Sequence, residues 1–297
     1  MVFAIVMSLA AASCWAVGSL VSVYPATALG APAFTRYRMI FVSIMLFAAG
    51  SVMGVWESLS QTYMIELIIS GLIGIFLGDT ALFATMRRMG PRRTAILFAM
   101  NAPITTVLGL AILGEELTLS IFLGCAAVMA GVVLAIIFGK KKSQQHHWEE
   151  VKGSLAIGIV FGIWAATCQA VGIIISKPVM DSGVDPVAAS AIRVAVSALA
   201  LSLMLLTPMK QFRAQTPLSK KLAGYVLLSG TLGMGLGMTF LMVALQHGDS
   251  GVVATLAATS PVLMLPLIWL KTKEFPSMAA WGGALLVVVG TGLILNG

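Results

Sequence analysis

The sequence predicts an all-α integral membrane protein of ten transmembrane helices, built as two inverted five-helix repeats. Three observations carry this. The 297 residues are 59% hydrophobic and 10% charged, and mean hydropathy is +1.00. Soluble domains run near a quarter charged, so this much apolar surface needs lipid as its solvent. The apolar runs have the length of about 20 residues that a bilayer span requires. Finally, one long stretch occurs twice.

The repeated stretch is Leu67 to Gly124, and its second copy is Val226 to Gly282. Laid over each other, Ser70 meets Ser229, Gly71 meets Gly230, Gly74 meets Gly233 and Gly78 meets Gly237. After a one-residue gap, Pro103 meets Pro261, Glu116 meets Glu274 and Gly124 meets Gly282. Self-similarity at this scale marks duplicated architecture, which in membrane chains is typical of transporters.

The elements follow in order. A first helix over residues 3–22 is rich in small residues, which permit close helix contacts, and Pro25 with the Gly30-Ala31-Pro32 turn is expected to end it. It lacks a basic leader, so it reads as a retained helix rather than a cleaved signal. A second helix covers 33–54 and a third 64–86; a turn at Gly90-Pro91 sits among Arg87, Arg88, Arg92 and Arg93. A fourth covers 94–113 with Pro103 near its middle, and Thr118 is placed to cap a fifth over 119–138. The second half repeats the plan with helices over 154–176, 186–207, 222–245, 250–270 and 277–295. The domain boundaries are therefore 1–138 and 154–297, joined by a polar cytosolic linker over 139–153.

The net charge of +7 does not indicate nucleic acid, because the basic residues sit in short clusters between apolar runs. That is a topology signal. The odd-numbered connections carry these clusters, whereas the even-numbered ones carry only Lys177. Positive-inside then places the odd connections in the cytosol and both termini outside. Cys14, Cys125 and Cys168 are isolated inside apolar runs, which argues against disulfides and structural zinc. Adjacent His146 and His147 do not have metal-ligand spacing on a helix face. No metal and no cofactor is expected, and no GxxxxGK[ST] loop supplies ATP drive.

The order Gly78, a polar residue, a short turn, Asn101-Ala102-Pro103 or Thr259-Ser260-Pro261, then Gly114-Glu115-Glu116-Leu117-Thr118, resembles the EamA-type domain of the drug/metabolite transporter superfamily. Two tandem copies cover nearly the whole chain. The second departs where Lys271-Thr272-Lys273-Glu274 replaces the Gly-Glu turn. The resemblance implies ten helices in the cell membrane, taken as a bacterial inner membrane, and a central cavity between the halves. It also implies efflux of a small metabolite or drug, driven by an ion gradient, such as protons, or by exchange. Many relatives have cytosolic termini; the charges here point the other way.

Ionisable groups inside spans are costly and therefore functional candidates. Arg38 lies about 9 Å up the second helix from Pro32, and Asp79 about 12 Å from Arg87 on the third, so the two can pair. As a site, Arg38 holds a substrate carboxylate and Asp79 accepts a proton; as structure, they are an ion pair fixing two helices. Arg193 is the inverted counterpart of Arg38 without a matching acid, since Met238 or Thr239 stands where Asp79 would. Arg36 reads as an interfacial anchor. Asn101, Thr259 and Ser260 flank midplane prolines, which free backbone carbonyls tolerated only in a protein-lined or wet cavity. Trp15 and Trp164 occupy matching places and stack on a substrate ring or simply pack. Glu116 and Glu274 read as residues at helix amino ends, and the Gly71, Gly74, Gly78 row as a packing face.

The leading expectation is a secondary transporter exporting an amino-acid-like zwitterion or anion, or a drug, by alternating access, with the lipid bilayer as its other partner and a monomer as a workable state. A passive pore fits the repeat too. An integral membrane enzyme lacks the required cluster of His, Asp or Cys.

Overall fold

The computed structural model describes residues 1–138, 154–209, 212–273 and 277–296. The expected linker, with His146, His147 and Trp148, and the turn residue Glu274 lie outside the described residues. Among those described, ten helices are long and apolar enough to cross a membrane. They are α1 (Val2–Leu29), α2 (Ala31–Met53), α3 (Gln61–Met86), α4 (Arg93–Leu113) and α5 (Leu119–Phe138), then α6 (Leu155–Asp181), α7 (Pro186–Leu206), α8 (Lys220–His247), α9 (Ser250–Leu267) and α10 (Met278–Leu295). Apolar periodicity is weak in most of them because the bilayer rewards apolar residues on every face.

Local signals explain most of the ends. Thr118 caps α5, accepting the Ile121 N–H at 3.2 Å. Asp185 caps α7 through Val187 N–H at 2.7 Å, with Pro186 in the first position where a missing donor costs nothing. Two expected ends are corrected. Pro25 does not stop α1, which runs to Leu29 and ends at Gly30, whose φ is +82°. Likewise α6 continues through Pro178 to Asp181. Each proline removes one backbone bond in the last turns of a long helix, where packing outweighs the loss.

The Gly90-Pro91 turn is also revised: the backbone is helical over Gly78–Ala99. Direction nonetheless reverses inside it. Along α6, Gly78 lies against Cys168, Met89 against Gly158, and Leu97 already back against Gly162.

Contacts at the two ends establish the up-and-down order. On one face, Asp185 N–H donates to Ser58 Oγ at 3.1 Å, Glu115 meets Ser250, and the Phe3 and His247 rings pack 4.8 Å apart. On the other, Gln215 N–H donates to Leu29 O at 3.1 Å, and Ser277 Oγ to Phe138 O at 2.6 Å. The second face is the basic one.

The two sequence repeats do not form separate bundles. α1 packs on α8 and α9, and in mirror fashion α6 packs on α3 and α4. α2 packs on α7 and α8, and α7 on α3. Three pairs join each helix to its own image: α2 with α7, α4 with α9 and α5 with α10. The result is two interleaved groups, α1, α2, α8, α9 and α3, α4, α6, α7, with α5 and α10 beside them.

The α5–α10 pair shows the local two-fold relation at atomic scale. A methyl group on Gly124 would lie 2.7 Å from the Gly290 carbonyl oxygen, and one on Gly283 would lie 2.6 Å from that of Gly131. Only glycine permits this approach. The geometry corrects the register by one residue: the image of Gly124 is Gly283, whereas Gly282 has nothing within 4 Å.

Candidate functional site

The candidate site is built around two glycine notches. α3 and α8 each contain a π-helical stretch, Gly71–Leu77 and Thr231–Leu236. Such stretches widen the helix and recur at functional positions. In both, glycines strip side chains from the widened turns. An arginine from the image of the same helix lies across each notch. A methyl on Gly230 would meet Arg38 Cγ at 3.0 Å, and one on Gly74 would meet Arg193 Nη2 at 3.4 Å. Helix seven is held there by Ser197 Oγ, which donates to Gly71 O at 3.0 Å.

The two arginines differ in what faces them. Arg38 is half-buried, with its guanidinium 5.2 Å from the Phe34 ring centre. Its charge interacts with Asp79, but the two make no contact ion pair among the described residues; Arg38 Nε is buried without a hydrogen-bond partner. Arg193 is 0% exposed. Its Nη1 donates weakly to the sulfurs of Met238 and Met242, both at 3.4 Å. Since Gly78 and Gly237 correspond, Met238 is the image of Asp79. The repeat alignment thus selects Met238 over Thr239 as the residue in the acid's place, and Met238 is the one whose sulfur meets Arg193.

Trp15 lies in the α1–α8 contact, donating its indole N–H to Gly233 O at 2.8 Å. Trp164 is 54% exposed and makes no matching contact among the described residues, so the expected match between the two tryptophans is corrected. Gly18 packs on Gly233, and Gly172 packs on Gly74. That register aligns Ser13-Cys14-Trp15-Ala16-Val17-Gly18 with Thr167-Cys168-Gln169-Ala170-Val171-Gly172. The counterpart of Trp15 is Gln169, which the sequence reading missed although the Cys-x-Ala-Val-Gly pattern was there to find it.

The midplane prolines interrupt both helices. α4 breaks at Met100 and α9 at Ala258-Thr259. Asn101 Nδ2 donates to Phe98 O at 2.6 Å, Thr259 Oγ1 to Leu256 O at 2.6 Å, and Ser260 Oγ to Ala257 O at 3.3 Å. These side chains bond to carbonyls of the preceding turn and reinforce the breaks. Arg36, 5% exposed, donates to Phe212 O at 2.6 Å and anchors α2 to the following loop of the other repeat.

A cavity of about 700 Å³ opens on the less basic face, lined by Glu115, Glu116, Lys177, Asp181 and Asp249 among others. Lys177 and Asp181 form an ion pair. Partial burial and the nearby Glu115 and Asp181 carboxylates push the Asp249 carboxyl up, while Lys177 and the chain's amino terminus act against them. Glu116 therefore lines a cavity in addition to ending a loop. No group of three or more His, Cys, Asp or Glu side chains fit to hold a metal occurs among the described residues.

Ten spans in inverted pairs, interleaved around paired intramembrane arginines, define a multi-pass membrane transporter. A crystal structure titled only as that of a protein shares the fold, with a TM-score of 0.78 at 18% identity over 98% of this chain and 95% of that one. No curated protein matches. The EamA-like transporter family model matches residues 2–137 and 156–296. The chain belongs to that family, whose members are transporters and not enzymes.

Proposed function

We propose that the protein is a secondary exporter of a small organic metabolite with an anionic or zwitterionic group, working by alternating access. The observation that carries this reading is the pair of arginines, Arg38 and Arg193, placed at image positions in the two notches where the interleaved groups meet. Arg38 takes the substrate carboxylate. Asp79, close enough to feel the Arg38 charge, carries the coupling proton or balances charge when the site is empty. Asn101, Thr259 and Ser260 keep the helix breaks beside it polar, and Trp15 walls it. Trp164, which is exposed and is not the counterpart of Trp15, is left out. The moving bodies are the two interleaved groups rather than the two sequence halves. The basic face is cytosolic by the positive-inside rule.

The test is uptake into proteoliposomes with an imposed proton gradient, using a panel of radiolabelled amino acids and small carboxylic acids. Uphill accumulation of one class, reduced by Arg38→Ala and made gradient-independent by Asp79→Asn, supports the reading. Movement that only equilibrates identifies a passive pore.

A further inference from the structure

Each notch is served by the same three positions. On α8, they are Arg38, the Gly233 backbone and Trp15. On α3, they are Arg193, the Gly74 backbone and, by the register that pairs Gly18 with Gly172, Gln169 in the position of Trp15. In the first set, the charge of Asp79 acts on the arginine and the indole N–H is bound at 2.8 Å. In the second, Met238 replaces the acid, and two of the three guanidinium nitrogens are unanswered among the described residues. Arg193 is 0% exposed, and its Nε and Nη2 have no hydrogen-bond partner. Gln169 is half-buried, one turn before Gly172, and none of its amide atoms makes a hydrogen bond within the described chain.

The pattern of filled and empty donors is informative. Nη1 is held by two thioethers at 3.4 Å. Nε and Nη2 lie along one edge of the planar guanidinium, and that edge matches the two oxygens of a carboxylate. A buried charge with no counter-ion is costly. It persists where function requires it. The α3 turn lacks side chains at Gly71 and Gly74, and backbone of α7 and α6 closes over it here: a methyl on Gly71 would lie 2.7 Å from Arg193 O, and one on Gly74 3.0 Å from the Gly172 Cα.

We infer that Arg193 and Gln169 form a second anion subsite at the Gly74 notch, which takes the planar carboxylate of a small organic acid. It is distinct from the Arg38–Asp79 position. Arg193 grips the carboxylate side-on, and the Gln169 amide donates a third hydrogen bond. In the present conformation the subsite is shut, with the thioethers of Met238 and Met242 against the guanidinium. This subsite rests on the transporter reading for its use, but not for its existence, because binding is measured without transport.

The experiment is thermal unfolding of the purified full-length protein in detergent. Sodium acetate is titrated against sodium chloride at equal ionic strength, with sodium phosphate as a tetrahedral comparison. Acetate is expected to raise the parent's midpoint by roughly 2–4 °C at a few-fold excess over its Kd, and phosphate by less. Arg193→Met removes the buried charge: its ligand-free midpoint stays equal to or above the parent's and the acetate shift disappears. Met238→Asp installs the acid found in the other repeat, and it too abolishes the shift while keeping the fold. Gln169→Leu leaves a smaller shift. The inference is overturned if acetate leaves the parent unmoved, if phosphate matches acetate, or if Arg193→Met keeps the shift. It is equally overturned if Arg193→Met melts well below the parent, since the arginine is then a strut. An intact acetate shift without uphill movement in proteoliposomes would fault the transport reading alone.

Discussion

Glu115 accepts the Ser250 backbone N–H at 2.6 Å and the Ser250 hydroxyl at 2.9 Å. The residue that caps α9 thus comes from the loop after α4, in the other repeat. Gly109, in the last π turn of α4, makes room for the returning carboxylate. Glu115→Ala should leave helix-end donors unanswered and cost about 1–3 kcal/mol, read as a lower midpoint in detergent. Glu115→Gln keeps an acceptor and should lose less.

Asp249 precedes that helix end, and its carboxyl titrates above the ordinary 3.8 because of burial and the nearby acids. The folded protein therefore disfavours its ionised form. That cost is absent below about pH 4, grows as pH rises through the raised value, and is fully present at neutral pH. Asp249→Asn should raise the midpoint at pH 7.5, with the advantage shrinking as the pH is lowered toward 4. A difference that is constant across that range would sink the assignment.

The α5–α10 contact predicts a sharp contrast between neighbouring glycines. A side chain at Gly283 meets the Gly131 carbonyl oxygen at 2.6 Å, whereas Gly282 faces open space. Gly283→Leu should abolish the monodisperse folded peak in size-exclusion chromatography. Gly282→Leu should leave it in place, with stability changed by about 0.5 kcal/mol or less.

The tryptophans offer a second contrast. Trp15→Phe removes the donor to Gly233 O and should cost about 0.5–1.5 kcal/mol. Trp164→Leu, on the exposed surface, should leave both stability and uptake near the parent's. Equal losses in the two variants would restore Trp164 to the site.

Hydropathy and the Gly-Pro spacing made the ten spans and their duplication legible, because bilayer thickness and backbone satisfaction leave few alternatives. The intramembrane charges were legible for the same reason: Arg38, Asp79 and Arg193 stand out against apolar runs. Register was harder. Trp15 and Trp164 were matched because tryptophan is conspicuous, yet backbone packing of Gly18 and Gly172 decides the alignment and pairs Trp15 with Gln169. The interleaving of α1 with α8 and of α6 with α3 was also hidden, since sequence order says nothing about which notch a helix enters. Pro25 misled because a local breaker near a helix end yields to tertiary packing, as Pro178 also does in α6.

Gly131 and Gly283 each sit where the other repeat's backbone passes, and Gly124 and Gly290 repeat the contact at the other end of the pair. α5 thus rests on an upside-down copy of itself. A single unduplicated five-helix chain would find this same surface on a sister molecule inserted the opposite way, so the contact has the geometry of an antiparallel homodimer seam held within one chain. Within one chain the two sides need not be identical. One copy carries an acid near its arginine and the other a thioether, an asymmetry closed to a true homodimer, in which every substitution falls on both sides of the seam at once.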